Sequence, residues 1–243
     1  MARYAMVIDL DKCVGCQACS VACSEEWKVP VGEVRTHIRS TGIVGMFPQL
    51  MSVFHVAQCN HCDHPPCILP CPTGATYQAE NGVVKVDQGL CIGCGYCVEA
   101  CPYDARYINQ RTKKVDKCDF CSSRVERGLQ PACVNTCTAH AKYFGDLEDT
   151  GSFVFTAVYE KHAHRIENSL AAPGPNVYYL GKPGHLELVQ GKFGPRAPRL
   201  IRPGEVWKRL VKPLVLAAVG ATFVGQAIAF FYQLHKGEKD FEE

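Results

Sequence analysis

Cysteine is the residue that most constrains what this chain can fold into. Sixteen of the 243 residues are cysteines, and all of them lie between positions 13 and 137. They form four groups of four with none left over, which predicts a repeated structural unit. The groups are Cys13, Cys16, Cys19 and Cys23; Cys59, Cys62, Cys67 and Cys71; Cys91, Cys94, Cys97 and Cys101; and Cys118, Cys121, Cys133 and Cys137.

Three interpretations of the cysteine groups compete: disulfides, zinc sites and iron–sulfur clusters. The N-terminal "MARYAMVIDLDKC" lacks a secretory-signal pattern, and three cysteines on one tight loop pair poorly as disulfides. Zinc sites usually combine two C-x2-C pairs, whereas C-x2-C-x2-C presents three thiolates from one loop, as a 4Fe–4S cubane requires. The pattern therefore favours iron–sulfur clusters, with a zinc-rich scaffold as the alternative.

The fourth cysteine of each group is expected to bind a cluster other than that of its own group. This crossing occurs in two-cluster ferredoxins. Applied here, groups one and four exchange ligands, and so do groups two and three, which predicts four 4Fe–4S clusters. Cluster A takes Cys13, Cys16, Cys19 and Cys137; cluster B takes Cys118, Cys121, Cys133 and Cys23; cluster C takes Cys59, Cys62, Cys67 and Cys101; cluster D takes Cys91, Cys94, Cys97 and Cys71.

The crossing predicts two ferredoxin-like units, one inserted in the other. Together with one transmembrane helix near the C-terminus, they give the expected α+β fold. The outer unit is assigned to residues 1–49 and 111–147 and the inserted unit to 50–110. Residues 148–206 are expected to form an extension on partner subunits, and residues 207–243 an anchor and tail. Units this small bury little apolar surface, so bound clusters must supply part of their stability.

Local patterns predict the main elements of these units. "YAMVIDL" and "MSVFHVA" are apolar and β-rich, and "ATYQAENGVVKVD" is typical of a hairpin that turns at Asn81-Gly82. Residues such as "SVACSEEW" and "VEAC" favour short helices. Further along, "SFVFTAVYEKHAHRIENSL" is expected to be a helix and "NVYYL" a strand. The Gly- and Pro-rich "GKPGHLELVQGKFGPRAPRLIRPGE" is interpreted as an extended arm on a partner, with disorder as the alternative.

Several residues beside the cysteines could influence the clusters. Proline follows Cys71 and Cys101, but Ser24 and Thr138 follow the fourth cysteines of the outer unit. Because Ser24 and Thr138 keep a backbone N–H, that N–H could donate to a sulfur of a cluster and raise the reduction potential of the cluster. His61 and His64 are interpreted as packing or outer-shell residues, since group two already has four thiolates, while Lys117 and Arg106 could tune the local field.

An apolar stretch near the C-terminus predicts a membrane span. Residues 213–232, "PLVLAAVGATFVGQAIAFFY", contain no charge and would form a helix ~30 Å long, which matches a bilayer core. A buried soluble helix is the alternative. Small residues recur every four positions at Ala217, Ala221, Gly225 and Ala229, which favours packing against another membrane helix. Trp207 and Tyr232 are expected near the two interfaces.

The sequence disfavours several other functions. The net charge of +2 gives no basis for nucleic-acid binding, and no Gly-rich nucleotide fingerprint or G-x-S-x-G elbow is present. Clusters without a reaction site indicate conduction of electrons and not catalysis by this chain alone.

The cysteine spacings, the opening "RYAMVIDLDKCVGCQACSVAC" and the segments "CPTGATY", "CIGCGYC", "CPYDARY" and "KCDFC" resemble one known family. It is the four-cluster iron–sulfur subunit of molybdopterin oxidoreductases, which include polysulfide and dimethyl sulfoxide reductases and formate dehydrogenase. The C-terminal segment is similar to the anchor of the formate dehydrogenase β subunit. Cys94 stands where nitrate reductase β subunits have tryptophan, which disfavours that branch.

The resemblance implies partners and a location. It implies a molybdenum or tungsten catalytic subunit near cluster A, and a membrane subunit carrying haem b or a quinone site near cluster D. It also implies the bacterial cytoplasmic membrane with the clusters on the periplasmic side, although basic residues before the helix favour the cytoplasmic side. An iron–sulfur subunit linking a nickel–iron hydrogenase to quinone is the alternative function.

Overall fold

The structure divides into two compact units. It is a computed structural model that describes residues 2–167, 172–196 and 212–239. One unit comprises Met1–Pro198 and the other Arg199–Glu243.

The largest sheet of the first unit contains four strands: β1 (Tyr4–Asp9), β8 (Lys142–Asp146), β9 (His164–Arg165) and β10 (Val177–Leu180). Their order in the sheet is β8-β1-β10-β9. Strand β1 runs antiparallel to β8, with Met6 opposite Phe144, and parallel to β10, with Met6 opposite Val177. The predicted strands "YAMVIDL" and "NVYYL" are thus confirmed, and they are neighbours in one sheet.

Strand β1 separates two apolar cores because its side chains alternate between the faces of the sheet. Met6 and Ile8 point into the larger core. Ala5 and Val7 point into a smaller core with Leu147. All four are fully buried, so both faces of this strand are covered.

Three two-stranded sheets carry the remaining strands. They are β2 (Thr36–Ser40) with β3 (Phe54–Gln58), β4 (Thr76–Gln78) with β5 (Val84–Val86), and β6 (Tyr107–Ile108) with β7 (Val115–Asp116). The β4–β5 hairpin is the predicted one, and Gly82 in its turn has φ +79°. The β2–β3 and β6–β7 pairs each join segments on either side of a predicted unit boundary, at 49/50 and at 110/111.

Short helices follow the cysteine loops. They are α1 (Ala18–Trp27), α2 (Tyr96–Glu99), α3 (Ser122–Val125) and α4 (Ala132–Asn135). The expected helix after residue 151 is short: α5 (Phe153–Phe155) continues as a π-helical turn (Thr156–Glu160). Strand β9 begins four residues later, and residues 168–170 of that prediction lie outside the described residues.

The prediction of an extended arm after residue 180 is wrong for Pro183–Phe193, which form helix α6. Proline suits the first turn of a helix because its missing N–H has no intrahelical partner there. Val189 is fully buried, and Leu186 and Phe193 pack against the larger core. Apolar residues at helical spacing therefore override the Gly and Pro content. Residues 197–205 of the predicted arm lie outside the described residues.

The second unit contains helix α7 (Lys212–Lys239). Its segment Val215–Leu234 is long and apolar enough to cross a membrane. Ala217, Ala221, Gly225 and Ala229 lie within this segment at helical spacing. Trp207, which was expected at one interface, lies outside the described residues.

Candidate metal centres

The four cysteine groups share a backbone turn that the sequence only partly revealed. The residue before the second cysteine has a left-handed conformation in every group: Gly15 (φ +68°), His61 (+44°), Gly93 (+72°) and Phe120 (+54°). Glycine adopts this conformation readily, whereas other residues rarely do. The turn reverses the backbone between the first two cysteines, so successive thiols can face one space.

Burial differs between the cysteines of each group. The buried cysteines are Cys19, Cys23, Cys59, Cys62, Cys67, Cys91, Cys97, Cys118, Cys121 and Cys133. Cys16 and Cys94 are exposed. These two occupy the same position in groups one and three, so the spaces around groups one and three approach the surface.

Cys23 lies with group four and not with its own group. Burial, together with the nearby thiols of Cys133 and Cys121, raises the pKa of Cys23 to about 12. Burial also raises the pKa of Cys118, with Cys23 as the strongest neighbouring thiol. The structure therefore brings together the four cysteines predicted for cluster B.

Cys137 correspondingly lies near group one. Burial raises the pKa of Cys13, and the thiols of Cys137 and Cys16 raise it further. Burial likewise raises the pKa of Cys19, with contributions from Cys13 and Cys137. The cysteines predicted for cluster A are thus neighbours.

Groups two and three show the same crossing for the set predicted for cluster C, and a looser association for the set predicted for cluster D. Burial raises the pKa of Cys62, and Cys59, Cys101 and Cys67 raise it further. In the second set, Cys71 packs against an apolar cluster that contains Cys91 and Cys97. The exposed thiol of Cys94 takes no part in that cluster.

Neighbouring sets adjoin in the order A, B, C, D. The Cys19 thiol of the first set interacts with Cys133 of the second. The Cys118 thiol of the second set interacts with Cys59 of the third. Cys67 of the third set shares an apolar cluster with Cys91 and Cys97 of the fourth.

Several hydrogen bonds to cysteine sulfurs were not predicted from the sequence, and four of them come from N–H donors. The indole of Trp27 donates to Cys121 Sγ at 3.2 Å, and Arg106 Nη2 donates to Cys67 Sγ at 2.8 Å. The backbone N–H of Val115 donates to Cys91 Sγ at 3.4 Å, and that of Ala141 to Cys137 Sγ at 3.2 Å. Such donors are suited to sulfurs that carry negative charge.

Ser24 acts differently from the sequence interpretation. It lies inside helix α1, so its N–H belongs to the helical hydrogen-bond pattern. A proline there would interrupt the helix. Ser24 therefore lets α1 continue to Trp27, whose indole reaches Cys121. Thr138 approaches a sulfur through its side chain, with Oγ1 at 3.8 Å from Cys16 Sγ.

Three cations are buried among the cysteine sets: Lys142, Lys117 and Arg106, which are 4%, 3% and 5% exposed. Burial alone would lower the pKa of Lys142, but the thiolates of Cys133 and Cys19 raise it above its ordinary value. Burying a charge without an opposite charge is costly. The donor set therefore fits an anionic group such as an iron–sulfur cluster held by thiolates.

His61 is a packing residue and not a ligand in this arrangement. It is fully buried, and its ring centroid lies 3.8 Å from that of Phe120. Its Nδ1 accepts the N–H of Val84 at 3.0 Å. Burial, reinforced by the charge of Lys117, holds the pKa of His61 well below its ordinary value, so the ring is neutral. The backbone N–H of His64 donates a hydrogen bond to the carbonyl oxygen of Pro173.

A site for a single metal ion is not formed within residues 2–167, 172–196 and 212–239, where no three His, Cys, Asp or Glu side chains converge closely enough. A tetrahedral zinc site would need such convergence. A cubane is larger than one ion and requires its four thiolates further apart.

Comparisons with known proteins match the same regions. Residues 4–25 match the model of a 4Fe-4S binding domain, and residues 50–147 match that of a 4Fe-4S dicluster domain. The B subunit of tetrathionate reductase from Salmonella typhimurium is 46% identical over 184 residues, which are 74% of this chain and 72% of that protein.

Two further relatives extend the comparison. The B subunit of polysulfide reductase from Wolinella succinogenes is 38% identical over 187 residues, which are 76% of this chain and 98% of that protein. Protein NrfC of Escherichia coli is 43% identical over 178 residues, which are 72% of this chain and 79% of that protein. The regions matched by the family models include all sixteen cysteines.

Proposed function

This protein belongs to the family of iron–sulfur B subunits of reductase complexes, and from that premise we propose that it holds four 4Fe–4S clusters in a single electron path. It is an electron-transfer subunit and not the catalytic subunit. The crossing of Cys23 to the buried thiols of group four is the observation that supports this proposal most strongly.

The proposed ligands are the crossed sets A to D defined above. Sets A, B and C are supported by the mutual effects of their thiols, and set D by the packing of Cys71 against Cys91 and Cys97. The same crossing supports two ferredoxin-like units, with residues 50–110 inserted between 1–49 and 111–147. The β2–β3 and β6–β7 sheets would then join the two units.

The proposed electron path follows the order in which the sets adjoin. Clusters B and C would lie inside the protein, where their thiols are buried or half-buried. Clusters A and D would meet partners, because Cys16 and Cys94 reach the surface. Burial of the middle of the path keeps electrons from solvent, while exposure at both ends permits exchange with partner subunits.

The proposed partners are a molybdopterin catalytic subunit next to cluster A and a quinone- or haem-binding membrane subunit next to cluster D. The relatives from tetrathionate reductase and polysulfide reductase support the first, since each is named as part of a reductase. These relatives give no support to the alternative of a nickel–iron hydrogenase.

Helix α7 is the proposed membrane anchor, placing the chain in the bacterial cytoplasmic membrane with its clusters on the periplasmic side. The small residues Ala217, Ala221, Gly225 and Ala229 would pack against the membrane subunit. Gly225→Leu should then release the chain from that subunit in detergent, whereas Gly220→Leu, off this row, should not. Protease protection in spheroplasts tests on which side of the membrane the cluster-binding region lies. Protease added outside the spheroplasts should cleave this region if it is periplasmic.

Metal analysis of the anaerobically purified chain with its partners tests the cluster proposal. We expect about 16 acid-labile sulfide per chain, and about 16 iron per chain in addition to any haem iron of the membrane subunit. Tightly bound zinc in place of iron would overturn it.

Paired cysteine variants test the crossing. If Cys23 ligates cluster B, Cys23→Ser and Cys121→Ser should perturb the same signal in electron paramagnetic resonance (EPR), and Cys16→Ser a different one. If Cys23→Ser instead perturbs the same signal as Cys16→Ser, the crossed ligation is wrong.

A further inference from the structure

The buried cations Lys142, Lys117 and Arg106 lie one at each junction between consecutive cysteine sets. Lys142 interacts with Cys19 of set A and with Cys133 and Cys118 of set B. Arg106 interacts with Cys67, Cys59 and Cys101 of set C and with Cys97 of set D. Each of these two cations therefore acts on two neighbouring sets.

Lys117 occupies the junction between the central sets. Its ammonium donates to the carbonyl of Cys118, a set B residue, at 2.7 Å and also to the carbonyl of Val84. The same charge acts on the thiol of Cys67, a set C residue. It also acts on His61, whose ring packs against Phe120 in a tilted arrangement.

None of the three cations forms an ion pair with a carboxylate of a described residue. Lys142 Nζ donates to Gln58 Oε1 at 2.9 Å. Arg106 donates to Thr76 Oγ1 at 3.2 Å and to Cys67 Sγ, while its Nε is buried without a partner. Other than the sulfurs, the partners of the three cations are neutral oxygens.

Arg35, whose charge also acts on Cys23 and Cys118 of set B, has carboxylate partners in this fold. Its guanidinium pairs with Asp116 at 2.7 Å and with Asp119 at 3.5 Å. The three junction cations lack such carboxylates, so their negative counter-charge must come from the thiolate-held groups around them.

We propose that Lys142, Lys117 and Arg106 are fixed counter-charges, each shared by the two clusters on either side of it, and that each raises both reduction potentials. This rests on the four cluster positions of the proposed function. A cluster held by four thiolates is anionic and becomes more so on reduction, so a buried cation stabilises its reduced form. A shared cation also offsets repulsion between an electron on one cluster and an electron on the next.

Neutral variants test the sharing pattern. The full chain is purified anaerobically with its partners as Lys142→Met, Lys117→Met and Arg106→Met, and each is titrated with EPR detection. Each variant should lower two of four midpoint potentials. Lys142→Met and Lys117→Met should have one affected cluster in common, as should Lys117→Met and Arg106→Met, while Lys142→Met and Arg106→Met should have none.

Lys12→Met is the matched control. Lys12 precedes Cys13 as Lys117 precedes Cys118, but its side chain is 50% exposed and its Nζ donates to Tyr143. Water screens such a charge, so this variant should leave all four potentials unchanged. Unchanged potentials in the three neutral variants with full iron would overturn the counter-charge role, while the iron content would still support the clusters.

Charge-conserving variants keep the test decisive if a neutral variant fails to assemble. If the neutral variant loses iron while Lys142→Arg, Lys117→Arg or Arg106→Lys keeps it, the charge itself is required. If the neutral and the charge-conserving variants both lose iron, shape and not charge is required, and the proposal fails.

Discussion

Gly93 offers the sharpest test of the cysteine loops because two separate constraints act on it. Its φ is +72°, in the left-handed region, and a Cβ built there would lie 2.0 Å from the carbonyl oxygen of Lys113. Lys113 lies in the turn before β7, whose Val115 donates to Cys91 Sγ. We therefore expect Gly93→Ala to disturb both the loop and the strand that supports it.

The magnitude follows from comparing Gly93 with Gly128. Gly128 has a similar φ of +74°, but a Cβ there would meet nothing within 4 Å. Both alanine variants share the left-handed cost of ~1–2 kcal/mol. Only Gly93→Ala must also displace a backbone carbonyl, which adds ~1–3 kcal/mol as in overpacked cores. For a chain of this size each kcal/mol lowers Tm by ~2–4 °C.

Anaerobic thermal melts and iron analysis measure this difference. Gly93→Ala should melt below Gly128→Ala and should retain about 12 iron atoms per chain in place of about 16, because one cubane is lost. Equal melting temperatures and full iron in both variants would refute the argument that Lys113 constrains this loop.

Three further predictions concern the first helix and the clusters as a whole. Trp27→Phe removes a donor to a charged sulfur. It should lower one midpoint potential by ~30–60 mV if half of a ~1.5–3 kcal/mol hydrogen bond depends on the redox state of a one-electron couple. An unchanged EPR titration would contradict this. Ser24→Pro should lower the free energy of unfolding by ~3 kcal/mol because it interrupts α1, although it creates the Cys-Pro pair found elsewhere in the chain. The expected readouts are a lower Tm and the loss of about four iron atoms. A variant with native Tm and full iron would show that α1 need not continue. Removing iron by anaerobic chelation should unfold the cysteine-containing region, because the buried cations lose their counter-charges. The far-UV circular dichroism of that region should then mostly disappear. A cooperative melt that persists after iron removal would contradict this dependence on the clusters.

Local features of the sequence predicted much of the fold. The strand at Tyr4–Asp9 and the hairpin around Gly82 depend on apolar runs and turn residues that are visible within a few positions. Helix α6 was missed because Gly and Pro suggested a loop, whereas its buried face is defined by contact with the larger core.

Lys142 illustrates what local patterns could not reveal. Nothing in its immediate sequence distinguishes it from a surface lysine. Strand β8 pairs with β1 and places this side chain near Cys19 and Cys133, which are far apart in sequence. Trp27 likewise gains its role only because Cys121, 94 positions away, lies next to it.

The sequence by itself determined the number, type and spacing of the thiols, and hence the kind of group they suit, because these depend on covalent chemistry and on loops of a few residues. Tertiary structure alone decided which donors and cations surround each thiol. Those neighbours come from distant segments, and their positions depend on sheet pairing and packing. Burial then sets the strength of each interaction, since a charge removed from water has few other partners.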